Sequence, residues 1–98
     1  MTFVGKVSDV APGQLLGVTV DGQPVAVANL DGQLFAIGDI CTHRGCSLSE
    51  GTLTGSVAVC PCHGGQYDMR TGEVVGGPPP EPVEAYPVQV SNDEFRIG

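Results

Sequence analysis

The chain has 98 residues, enough for one domain with a thin core that a metal or a disulfide would help to hold. Apolar residues make up 41% and charged residues 15%, which excludes a disordered segment. Eleven acidic against four basic side chains leave a formal charge of −7, which disfavours a phosphate backbone as partner and favours a protein with a basic face.

The first strand is expected over Phe3-Val4-Gly5-Lys6-Val7, ended by Ala11-Pro12-Gly13. Leu15 to Val20, Val25 to Leu30 and Leu34 to Ile37 follow, separated by Asp21-Gly22 and Asp31-Gly32. Asp-Gly between β-prone runs is a strong hairpin signal, because both turn residues must take positive φ. Two such turns in succession predict a three-stranded antiparallel meander. Ser56 to Val59 reads as a short strand, and Gln66 to Met69 with Glu73 to Val75 as a hairpin turning at Arg70-Thr71-Gly72. The prolines of Gly76-Gly77-Pro78-Pro79-Pro80 lack a donor and predict a loop. Val83 to Val90 and Glu94 to Ile97 form a last hairpin around Asn92-Asp93. No segment repeats at helical period, so the class is all-β. No stretch is long enough to span a bilayer, and no leader-like start is present, so the expectation is a soluble, cytoplasmic protein.

All four cysteines and both histidines lie in two short stretches, Cys41 to Cys46 (CTHRGC) and Cys60 to Gly65 (CPCHGG). Thiol redox chemistry, a structural zinc and an iron–sulfur centre are three physical readings of such a cluster. Cys41-x-His43 and Cys60-x-x-His63, sixteen residues apart, would let each loop supply one thiolate and one imidazole. That set suits a two-iron cluster with two Cys on one iron and two His on the other. A single zinc more often takes C-x₂₋₄-C with H-x₃₋₅-H, and the one-residue gap at Cys41-x-His43 is awkward for one ion. There is no GxGxxG, no P-loop and no 2-His-1-carboxylate set, so nothing marks an enzyme.

With its C-x-H-x₁₆-C-x₂-H spacing, the double motif resembles a Rieske iron–sulfur domain, and the likeness covers the whole chain. The resemblance implies an antiparallel β-sandwich base with an inserted cluster-binding subdomain at about 39–77, within a single domain 1–98. It implies one [2Fe-2S] cluster, with Cys41 and Cys60 on the inner iron and His43 and His63 on the outer. It further implies a one-electron carrier, a ferredoxin passing electrons from a reductase to an oxygenase-type enzyme and acting as a monomer. The alternative is the small subunit of a nitrite reductase-type or arsenite oxidase-type complex.

Cys46 and Cys62 match the extra pair of Rieske proteins from respiratory and photosynthetic complexes, where they form a disulfide. Many soluble ferredoxins of dioxygenases lack both. The resemblance therefore implies a Cys46–Cys62 bond, and burial between the loops is expected to protect it from reduction. Tyr67 matches a position whose hydroxyl donates to a ligand sulfur, whereas Gly65 stands where those proteins place a serine. One donor kept and one lost points to an intermediate potential. Gly45, Gly64 and Gly65 permit close backbone approach to sulfides. Pro78 opens the proline segment that covers the cluster in the family. The docking face is expected around His43 and His63, beside Arg44 and rimmed by Asp39 and Glu50.

Overall fold

A computed structural model describes residues 2–40, 46–62, 65–76 and 82–98. Within these residues eleven strands form three antiparallel sheets. β2 (Leu15–Val20), β3 (Gln23–Leu30) and β4 (Gln33–Gly38) make the expected meander, in continuous register from Leu15 opposite Ala28 to Leu30 opposite Gln33. Both turns have the predicted backbone: Asp21 and Asp31 sit at φ 50° and 55°, their glycines at 80° and 93°. Asparagine and aspartate tolerate this region because a short polar side chain can bond locally. Asn92 and Asp93, at φ 52° and 65°, likewise join β10 (Val88–Ser91) to β11 (Glu94–Ile97).

β3 explains the layering. Ala26 and Ala28 project into a core shared with Ile37, Leu48, Ala58, Tyr67, Met69 and Val83. Val25 and Val27 face the opposite way, into a core with Val10, Val20, Leu34, Phe95 and Ile97. Successive strand residues point to opposite faces, so the continuous apolar run Val25-Ala26-Val27-Ala28 is buried on both. The meander is thus the middle layer. On one side lies the sheet β1-β11-β10, with β1 spanning Thr2–Lys6. On the other lies a sheet of β5 (Thr52–Thr54), β6 (Val57–Val59), β7 (Gln66–Asp68) and β8 (Val74–Gly76).

Two expectations change. The run Val83 to Val90 is not one strand but two, in different sheets. β9 (Ala85–Tyr86) pairs with β4, and β10 pairs with β11. Pro87 stands between them, where a residue without an N–H cannot continue a ladder; its carbonyl accepts from the Gly98 N–H at 3.2 Å. Secondly, β5 was not anticipated. It pairs with β6 across a turn at Gly55 (φ 59°). Short 3₁₀ turns at Val7–Asp9 and Leu48–Glu50 interrupt the strands.

Candidate iron–sulfur site

Two loops leave the sheets next to each other, and hydrogen bonds close each at its base. For the first, Ile40 and Ser47 form an isolated antiparallel bridge. The Asp39 carbonyl accepts from the Leu48 N–H at 2.7 Å. The Asp39 carboxylate then accepts from the Ser49 N–H at 2.7 Å and the Ser49 hydroxyl at 2.9 Å. For the second loop, the Cys60 N–H donates to the Gly65 carbonyl at 2.7 Å, directly beyond the paired Val59 and Gln66. The residues between these closures include Cys41, His43, Arg44, Gly45, His63 and Gly64, which lie outside the described residues, as does Pro78.

Asp39 is a correction to the expected docking rim. It is only 6% exposed and its carboxylate is engaged by Ser49, so it is a fastener of the loop and not a charge offered to a partner. Glu50 is exposed, as a rim residue must be. Asp39→Ala should remove both bonds and leave the Ser49 N–H without its acceptor, a cost of about 1–3 kcal/mol. In a domain of this size the melting temperature should fall on the order of 10 °C. Asp39→Asn, which keeps one acceptor oxygen, should lose less; equal losses in the two variants would assign the effect to charge alone.

Among the described cysteines the division of labour is clear. Cys46 and Cys62 form a disulfide, with Cα atoms 6.4 Å apart, inside the range such bonds require. Cys60 is a free thiol, 2% exposed, packed in the core with Leu48, Tyr67 and Met69. The bond is not shielded as expected. Cys62 is exposed and Cys46 half-buried, because Pro61 and Cys62 turn outward from the sheet at the end of β6. Tyr67 is fully buried opposite Ala58 in the β6–β7 ladder, two strand positions from the Cys60 end. Gly65 is buried and serves the second loop with its carbonyl.

This donor chemistry fits a [2Fe-2S] centre with mixed ligands. A disulfide sulfur is no longer a thiolate, so bonding Cys46 to Cys62 removes both from the ligand pool and leaves two Cys and two His in the chain. A buried thiol with no disulfide partner, at the foot of a loop that carries a histidine, supplies one such ligand.

The architecture and this site define a small all-β iron–sulfur protein. The chain belongs to the Rieske [2Fe-2S] domain family, whose model matches residues 1–87. It is 46% identical over 100 residues to the biphenyl dioxygenase ferredoxin subunit of Pseudomonas sp. (strain KKS102), covering 99% of this chain and 92% of that protein. The ferredoxin of carbazole 1,9a-dioxygenase from Nocardioides aromaticivorans IC177 superposes with a TM-score of 0.94 at 32% identity, over 99% of this chain and 97% of that one. A chain from a complex of reduced oxygenase and oxidized ferredoxin in carbazole 1,9a-dioxygenase matches with a TM-score of 0.92 at 38% identity, over 98% and 99%. These relatives are electron-transfer components, so the chain is read as a ferredoxin, a carrier of electrons and not a catalyst. Among the described residues, no helix is long and apolar enough to cross a membrane.

Proposed function

We propose that this ferredoxin carries one electron on a single cluster held by Cys41, Cys60, His43 and His63, taking it from a ferredoxin reductase and delivering it to the terminal oxygenase of a ring-hydroxylating system. The observation that carries the reading is the buried Cys60 thiol at the foot of its loop, beside a disulfide that spends the other described cysteines. When bound, a cluster of this type supplies a one-electron couple whose potential responds to the groups around it. The protein's own part is to hold and shelter. The Asp39–Ser49 and Cys60–Gly65 closures fix the loop feet, and Leu48, Tyr67 and Met69 keep water from the Cys60 sulfur. Residues 39–77 act as the cluster-binding unit of a monomer working in the cytoplasm.

The charge of −7 supports a partner with a basic patch. Electron delivery to the partner oxygenase should then slow as salt rises, by about tenfold or more between low and high ionic strength. Stopped-flow oxidation of the reduced ferredoxin measures this. A rate indifferent to salt would reject electrostatic docking. The carrier reading itself is tested separately: iron analysis and reductive titration should give two irons and one electron per chain.

A further inference from the structure

The disulfide lies where a structural staple gains little protection. Cys62 is on the surface, Cys46 is half-buried, and the bond joins two loops whose feet are already closed without it. The first loop is held by the Ile40–Ser47 bridge and by Asp39 with Leu48 and Ser49. The second is held by the Cys60–Gly65 bond and the β6–β7 ladder. None of these bonds passes through either disulfide-bonded cysteine. Cutting the bond therefore releases the loops from each other while the sheets beneath keep their own hydrogen bonds and core.

We infer that Cys46–Cys62 is a reducible latch: dithiol reductants open it in the folded protein, and opening it loosens the hold of the two loops on the cluster. This rests on the ligand set proposed above. The chemistry is thiol–disulfide exchange with a small or protein dithiol. A thiolate of the dithiol attacks the Cys62 sulfur from the exposed side, the S–S bond breaks, and the Cys46 sulfur leaves as a thiolate that takes up a proton. The second thiol of the reductant then displaces the Cys62 sulfur and closes a disulfide within the reductant. Two electrons pass to the protein, and the two sulfurs end as thiols. Joining the loops restricts how far the ligands on each can separate, so the intact bond slows loss of iron. The consequence is a carrier whose cluster lifetime follows the thiol redox state of its surroundings.

The test uses the cluster-loaded protein without oxygen, with dithiothreitol as the dithiol. Alkylation followed by intact mass counts opened thiols, far-ultraviolet circular dichroism follows the sheets, and a coloured chelator follows iron. The expected result is two newly alkylated cysteines in protein that still holds its iron, with the dichroism unchanged, together with iron release faster by roughly tenfold to a hundredfold, the scale on which groups supporting metal ligands act. The double variant Cys46→Ala with Cys62→Ala should release iron at the fast rate from the start and ignore the dithiol. Three outcomes overturn the inference: a bond that opens only as the dichroism collapses, one that resists the dithiol in the folded protein, and one whose opening leaves iron release unchanged. Preparations that hold no iron under any condition would instead reject the ligand set, while the thiol count and the dichroism still report whether the bond opens with the sheets intact.

Discussion

Cys60→Ala should give a protein that folds and binds no Rieske-type cluster. The side chain removed is small, and the core around it contains Leu48, Tyr67, Met69 and Ala58, so the sheets should survive with a modest loss of stability. The chemical loss is total by comparison. No other described thiol is free to take its place, since Cys46 and Cys62 are bonded to each other. Visible absorption and electron paramagnetic resonance of the dithionite-treated protein should be blank, with far-ultraviolet dichroism close to wild type. Cys41→Ala, His43→Ala and His63→Ala should behave alike, because each loop is proposed to give one thiolate and one imidazole. A native spectrum in any of the four would falsify the ligand set. Cys46→Ala separates the roles: it should still assemble a cluster, though one lost more readily.

The second large effect is expected far from any ligand. Gly72 is buried at the turn between β7 and β8, with φ at 79°, a region costly for a branched side chain. Its N–H donates to the Asp68 carbonyl at 2.7 Å, and its carbonyl accepts from the Val83 N–H at 2.9 Å. A Cβ there would collide with the Val83 carbonyl oxygen. Gly72→Val thus combines backbone strain of about 1–3 kcal/mol with a clash against main chain that has no flexible end to yield. Val83 leads into β9, which pairs with β4, so the turn ties the β5–β8 sheet to the middle layer. The melting temperature should fall by more than about 10 °C, and the folded yield with it. Gly72→Ala should take a smaller loss of the same kind. An unchanged melting curve for Gly72→Val would show that this turn relaxes freely and does not join the layers.

Neighbouring residues settled much of this protein in advance. Asp21-Gly22, Asp31-Gly32 and Asn92-Asp93 announce their turns because the left-handed conformation is a local property of the residue types. The Cys and His spacing states a ligand chemistry before any coordinate is known, whereas the cover on both faces of β3 is seen only in the packed layers. The tie between Cys46 and Cys62 was legible only through the family resemblance, since spacing alone leaves several pairings open. Other features depend on segments distant in sequence, and these only the tertiary structure decided. Val83 to Val90 reads as one strand until β4 and β11 compete for its two halves, with Pro87 unable to bridge them. Thr52 to Thr54, by contrast, pairs with β6 only across the Gly55 turn, and this local hairpin was missed because three residues are too few to declare a strand. Asp39 reads as a surface charge until the Ser49 N–H and hydroxyl meet it, and burying a carboxylate is tolerable only with such partners. The exposure of Cys62 likewise follows from where the end of β6 meets the surface of the packed layers. Burial is a property of what surrounds a residue, and here the surroundings come from segments far apart along the chain, as where Val10 packs with Phe95.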